Sequence, residues 1–220
     1  MKVVCVIPAW NEEKNIGAVV ADVKRWIADI VVVDDGSKDQ TARVAMAKGA
    51  LVLRHPINRG QGAALRTGTQ YALENGADVI VHFDADGQFV AEEILATAAP
   101  VINGEVEMVF GSRFLDKEHN LPPLKKRLIL PLARLFNRFF LGVKFNDPQN
   151  GFRVLSAQAA RKLDWRQDKM AHCSEILWLT KKLGIKYREV GVTVRYTEFG
   201  QRMSGGWRII KDLFLDRLIK

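Results

Sequence analysis

Cysteine is scarce in this chain: of 220 residues only Cys5 and Cys173 carry a thiol. One lies in an apolar run and the other in a helical stretch, which argues against a disulfide framework and against a zinc site of paired thiolates. Both are expected to be buried and inert. Long hydrophobic runs are missing too. The longest candidate, Leu128 to Leu141, is interrupted by Arg134, Asn137 and Arg138 and falls short of the ~20 apolar residues a spanning helix needs. No basic region, apolar stretch and small-residue cleavage site precede Val3, so no secretory signal is expected, and the expected compartment is the cytoplasm. No internal repeat or low-complexity tract breaks the pattern. Acidic residues are in deficit, 25 against 33 Lys and Arg, for a net charge of +8. That surplus suggests an anionic partner, whether nucleic acid, a phosphate-bearing small molecule or an anionic membrane surface.

What is present is an ordinary globular composition, 48% hydrophobic and 26% charged, in a chain long enough for a full core. From Lys2 to about Gly111 short apolar runs alternate with amphipathic segments, the signature of β-α-β-α units and a mostly parallel sheet. Strands are expected at Val3–Ile7, Ile30–Val33, Leu51–Leu53, Val79–Phe83 and Met108–Phe110, with helices at about Glu13–Ile27, Asp39–Lys48, Gly62–Glu74 and Ala91–Ala99. Ser37 or Asp39 is the expected cap of the second helix, and Gly76 closes the third. The turns at Pro8 to Glu13, Asp34 to Ser37, His55 to Asn58 and Asp84 to Gln88 then fall at one edge, the carboxyl ends of the strands. Ligands of open α/β sheets bind there.

That edge is rich in acid. Asp84-Ala85-Asp86-Gly87-Gln88 follows the apolar run Val79-Ile80-Val81, and Asp34-Asp35 follows Ile30-Val31-Val32-Val33. Carboxylate and amide oxygens suit hard divalent ions such as Mg²⁺ and Mn²⁺, which in nucleotide enzymes share coordination with substrate phosphates. Asn58-Arg59-Gly60-Gln61-Gly62 carries two glycines before a helix but lacks the third glycine and the first-strand position of a dinucleotide fingerprint; it is expected to be a loop shaped for packing. His172, Cys173 and Glu175 stand on one predicted helix, where neighbouring positions point apart, so a buried or capping role is expected rather than a metal site.

The strings Ile7-Pro8-Ala9-Trp10-Asn11-Glu12, Val32-Val33-Asp34-Asp35-Gly36-Ser37, Phe83-Asp84-Ala85-Asp86-Gly87-Gln88, Gly111-Ser112-Arg113 and Gly151-Phe152-Arg153 resemble family 2 glycosyltransferases, above all the dolichyl- and polyprenyl-phosphate sugar synthases. Glu189-Val190 and Val192 resemble the late strand of that family. The resemblance implies an α/β fold of the GT-A type over residues 1–205, followed by a basic amphipathic helix over 206–220. It further implies that Pro8, Trp10 and Glu12 line a nucleotide pocket and that Val33 and Asp35 hold base or ribose. Asp84, Ala85 and Asp86 would meet ribose and diphosphate, Asp86 and Gln88 would bind Mg²⁺ or Mn²⁺, and Arg113 and Arg202 would face phosphate. Asp86 and Arg113 are the implied catalytic groups. Elementary chemistry agrees, because a departing nucleoside diphosphate needs its developing charge neutralised, and an arginine fork grips phosphate. The chain departs from the family pattern at Pro131, four residues after Arg127, where Ser is frequent, and at Gly191, where Pro is usual.

The reaction so implied moves a hexose from a GDP- or UDP-linked donor to polyprenyl phosphate, with inversion. A phosphate acceptor is already ionised and needs no base, which would leave Glu175 structural; a hydroxyl acceptor of a glycan or protein would make Glu175 important. The basic amphipathic stretch from Leu124 to Phe140 and the tail from Trp207 to Lys220 would meet anionic lipid, each Lys or Arg contributing on the order of 1 kcal/mol. Two further readings compete. A nucleotidyltransferase would need a glycine-rich, Lys/Arg-bearing signature after the first strand, which is absent. A nucleic-acid-binding module accounts for the charge, but its phosphate backbone would be repelled by two acidic pairs.

Overall fold

The computed structural model describes residues 1–115 and 145–195. Seven strands form one sheet in the order β3-β2-β1-β4-β6-β5-β7. They are β1 (Val3–Ala9), β2 (Asp29–Asp34), β3 (Leu51–Arg54), β4 (Val79–His82), β5 (Met108–Ser112), β6 (Arg153–Ser156) and β7 (Tyr187–Gly191). The helices are α1 (Ile16–Lys24), α2 (Thr41–Ala47), α3 (Gln61–Glu74), α4 (Ile94–Ile102), α5 (Ala157–Lys162) and α6 (His172–Lys182). Every pairing between these strands is parallel except those of β6, which runs antiparallel to β4 and β5. The expected α/β architecture with a mostly parallel sheet is therefore present.

Strand alternation splits the core into two layers. Cys5, Ile7, Val32, Val81 and Val154 face α1 and α4, where Ile16, Val20, Val23, Ile94 and Ala98 meet them. Val4, Val6, Val33, Ile80 and Leu155 face the other way, against Ala64 and Leu65 of α3 and Ile176 and Leu177 of α6. Both faces are covered, which is why β1, β2 and β4 read as continuous apolar runs.

Some boundaries differ from the sequence expectation. Helix α1 begins at Ile16 rather than Glu13, because the Glu12 carbonyl accepts from the N–H groups of Asn15 and Ile16 and makes a turn of the intervening residues. Neither Ser37 nor Asp39 caps α2; Gln40 occupies that position. Ser37 Oγ instead accepts from the Asn11 N–H at 2.9 Å, and Asp39 Oδ1 accepts from the Thr41 N–H at 3.0 Å. The segment expected as one helix from Ala91 is a 3₁₀ turn, Ala91–Glu93, leading into α4. Gly76, in the left-handed region at φ 76°, follows α3 as expected. The basic stretch Leu124 to Phe140, Arg202 and the tail from Trp207 lie outside the described residues. Among the described residues no helix is long and apolar enough to cross a membrane.

Candidate active site

The carboxyl ends of β1, β2, β3 and β4 meet at one edge, and antiparallel β6 begins there. Parallel strands deliver their last residues to the same edge, so Pro8, Asp34, Arg54 and the residues after His82 become neighbours although far apart in sequence. Trp10 projects from the end of β1, 53% exposed, while Pro8 and Val33 are buried. Val33 packs its side chain in the core layer beneath α3, which leaves only its main chain at the edge. Glu12 is half-buried; its N–H donates to Thr41 Oγ1 at 2.8 Å and its carboxylate accepts from Asn15 Nδ2 at 2.8 Å.

The two acidic residues after β2 hold loops. Asp34 is buried, accepts from the Ser37 N–H at 3.0 Å and pairs with Arg54 Nε at 3.0 Å. Asp35 accepts from the N–H of Arg59 at 3.0 Å and of Gly60 at 2.6 Å, and His55 Nδ1 lies 2.7 Å away. A ring nitrogen that close to a carboxylate carries a proton, and His55 Nε2 lies 2.9 Å from the Thr67 hydroxyl. Asp35 thus binds the loop after β3 with both oxygens, and Gly60 answers with φ 111°, a backbone state open to glycine.

Asp84 and Asp86 form the centre. Asp84 Oδ1 accepts from Gln61 Nε2 at 2.8 Å. Gly151 lies against the same carboxylate: a Cβ there would stand 2.3 Å from Asp84 Oδ2. Burial, reinforced by the nearby Asp86 charge, pushes the Asp84 carboxyl up to about 7. Ala85 is buried, and Asp86 is half-buried, with its acidity weakened by burial; its Oδ1 accepts from the Gln88 N–H at 3.0 Å around Gly87. Gln88 is half-buried, and its carbonyl accepts from the Arg195 N–H at 2.8 Å.

Asp86 and Gln88 carry hard oxygen donors next in sequence to a second carboxylate, Asp84, and burial, joined at Asp84 by the Asp86 charge, weakens the acidity of both aspartates. Among the described residues no three His, Cys, Asp or Glu side chains converge into a preformed metal cluster. One or two protein carboxylates, with the remaining ligands left to phosphate and water, are the arrangement Mg²⁺ takes in nucleotide enzymes. The donor set fits such an ion.

Arg113 follows β5, and Asp147 takes its fork: Nε lies 2.6 Å from Oδ2 and Nη2 2.7 Å from Oδ1, with the Arg113 N–H also donating to Oδ2 at 3.0 Å. Asn150 Nδ2 donates to Asp147 at 3.1 Å and its own oxygen accepts from the Phe152 N–H at 2.9 Å. Glu189 of β7 accepts from the N–H and the side-chain amide of Asn146. Glu175, in the first turn of α6, accepts from the N–H groups of Arg166 and Gln167 at 2.9 and 2.8 Å. The segment so held packs on the Gly60-Gln61-Gly62 loop, where Trp165 Nε1 donates to the Gly62 carbonyl at 3.0 Å. His172 is buried, with Nδ1 2.8 Å from the Lys169 carbonyl.

Gln61, Asp147 and Asn150 were not legible as site residues. A polar side chain set between Gly60 and Gly62 at the sheet edge was the available signal for Gln61. Nothing in Asp147-Pro148 distinguishes it from a solvated turn.

The profile of Glycosyl transferase family 2 matches residues 4–164. The UDP-N-acetylglucosamine--dolichyl-phosphate N-acetylglucosaminyltransferase of Methanococcus voltae is 34% identical over 98% of this chain and 96% of its own. The polyprenol monophosphomannose synthase of Mycolicibacterium smegmatis is 30% identical over 95% of this chain and 83% of its own. Among solved structures, the glucosyl-3-phosphoglycerate synthase of Mycobacterium tuberculosis with Mn²⁺ and UDP-glucose superposes with a TM-score of 0.73, at 18% identity, over 97% of this chain and 76% of its own. At that identity the likeness speaks for the fold.

Proposed function

The chain belongs to glycosyl transferase family 2, and from that premise we propose that it transfers a hexose from a nucleotide-diphosphate sugar to a polyprenyl or dolichyl phosphate at a membrane surface. The observation that carries the reading is the Asp84, Asp86 and Gln88 cluster at the carboxyl edge, in a chain whose full-length relatives are named for lipid-phosphate acceptors. Trp10 offers an exposed ring for the base, and Asp84 faces the ribose and diphosphate. Asp86 and Gln88 would hold a divalent ion, which when bound supplies positive charge beside the diphosphate. Arg113, oriented by Asp147, presents its cation to phosphate from the end of β5, and Arg202 adds a second.

An acceptor phosphate oxygen attacks the anomeric carbon as the bond to the diphosphate breaks, with inversion. Near neutral pH that oxygen is ionised, so no side chain has to remove a proton. Glu175 fits this account: its Oε2 accepts from two backbone N–H groups, which gives it a structural duty. The lipid is met at the surface by the basic stretches from Leu124 and from Trp207, on the side where anionic headgroups attract Lys and Arg.

Purified protein incubated with nucleotide sugars, polyprenyl phosphate and Mn²⁺ or Mg²⁺ is expected to yield the lipid-linked sugar. Asp86→Ala is expected to lower the rate by about 10²-fold or more, the scale on which charge-stabilising groups act. Glu175→Gln retains an oxygen that can accept from Arg166 and Gln167, and is expected to change turnover little. A collapse of the rate in Glu175→Gln, together with transfer to a sugar hydroxyl, would replace the phosphate acceptor with a hydroxyl one.

A further inference from the structure

Helix α3 begins without a side-chain cap. Its first residue is Gln61, the position before it is held by Gly60 at φ 111°, and no side chain there accepts from the first turn. The N–H groups at a helix start still need acceptors. One comes from far along the chain: the Ala63 N–H donates to the Asp168 carbonyl at 3.1 Å, so the backbone between α5 and α6 serves as a cap.

That backbone, Trp165 to Lys169, is fastened on two sides like a strap. Towards α3, Trp165 Nε1 donates to the Gly62 carbonyl at 3.0 Å, Arg66 Nη1 donates to the Trp165 carbonyl at 3.1 Å, and Arg66 Nη2 pairs with Asp168 Oδ1. Towards α6, Glu175 Oε2 accepts from the N–H groups of Arg166 and Gln167, and His172 Nδ1 lies 2.8 Å from the Lys169 carbonyl. The close approach explains the two glycines. A Cβ on Gly60 would stand 2.5 Å from the Asp168 carbonyl oxygen, and one on Gly62 would collide with that of Gln167. Gln61, between them, does carry a side chain; it is half-buried and turned to Asp84, its Nε2 donating to Oδ1 at 2.8 Å.

We propose that Gln61 is a positioning residue of the donor site, fixing the carboxylate of Asp84, and that the strap is the brace that keeps Gln61 within reach. This rests on the donor reading above. A hydrogen bond to one oxygen fixes the rotation of a carboxylate, and with it the place of the other oxygen. An Asp84 left unfixed has to be ordered when the donor arrives, and that cost falls on donor binding. Turnover of the bound donor and the affinity for the acceptor are touched little.

The first measurement is the affinity for a nucleoside diphosphate with Mn²⁺, read beside the donor KM, the acceptor KM and kcat. Gln61→Met keeps the length of the side chain and removes its N–H groups. Folded by its melting curve, it is expected to weaken the affinity and raise the donor KM about fivefold, the scale of one hydrogen bond, with kcat and the acceptor KM nearly unchanged. Gln61→Leu serves if the methionine variant does not fold. Wild-type affinity and donor KM in the variant, or a loss confined to kcat, would overturn the positioning role. The second measurement is a double-mutant cycle with Arg66→Met, which removes both Arg66 bonds to the strap. It is expected to speed amide exchange at Ala63 and to weaken the affinity about threefold, yet to add nothing in the Gln61→Met background. Unchanged exchange at Ala63, or losses that add in the double variant, would overturn the brace. If the wild-type protein binds no nucleoside diphosphate, the donor reading falls and the positioning role with it, while exchange at Ala63 still decides the brace.

Discussion

Gly151 has no room for a side chain, because the Asp84 carboxylate occupies the space a Cβ would need. Gly151→Ala is expected to cut transfer by about tenfold or more through displacement of Asp84, in keeping with the cost of a small misplacement at a reacting centre, with the melting temperature falling only modestly. Activity assays and a thermal melt on the same sample check both halves. The sequence shows Asp84, Asp86 and Gln88 as a group because three polar residues after a buried strand are conspicuous. It does not show that Asp35 ties down the loop after β3, since a carboxylate that accepts backbone N–H groups and one that faces a ligand look alike in a string of letters. Arg153 is concealed for a different reason: a basic residue opening a four-residue strand reads as surface, and only the pairing with β4 and β5 shows it is enclosed.

At the scale of elements, the apolar runs of β1, β2 and β4 are legible because helices cover both faces of the sheet and every residue after the first of β1 and of β2, and all of β4, is buried. Strand β6 escapes the same reading, being short and begun by Arg153. Strand β7, at the edge of the sheet, has no fully buried residue, its first two being exposed and its last three half-buried, and only the family resemblance of Glu189-Val190 marks it. Its continuation matters to the site. Phe89 bridges Val194, and Glu93 accepts from the Thr193 N–H and hydroxyl at 2.7 and 2.8 Å, so the chain after β7 is fastened beside Gln88. Glu93→Ala removes both bonds to Thr193 and is expected to cost about 2 kcal/mol, with increased amide exchange at Thr193 and Arg195 as the local readout.

For the molecule as a whole, the raised pKa of Asp84 makes stability depend on pH. An acid whose folded pKa, about 7, lies above its ordinary 3.8 stabilises the fold most when protonated, so its contribution is full below about 3.8 and is lost as pH rises through 7. His82 acts in the opposite sense, since a ring kept neutral loses stability for the fold as pH falls below 6.5. Comparison with Asp84→Asn isolates the first effect: the variant should gain stability over wild type as pH rises from 5 to 7.5. The gain is at most about 1.4 kcal/mol per pH unit, and melts at the two pH values check it. A variant that tracks wild type at both would show that Asp84 does not titrate in this range.

The clasp between Arg113 and Asp147 has an architectural meaning. It joins the chain just after β5 to the chain just before β6, two points separated by more than thirty positions in sequence but touching in space. The two ends of the intervening stretch are thereby held at one place beside the carboxyl edge of the sheet. Because the entropy of closing a loop grows only slowly with its length, the number of residues between two ends so clasped can change at little cost to the stability of the sheet.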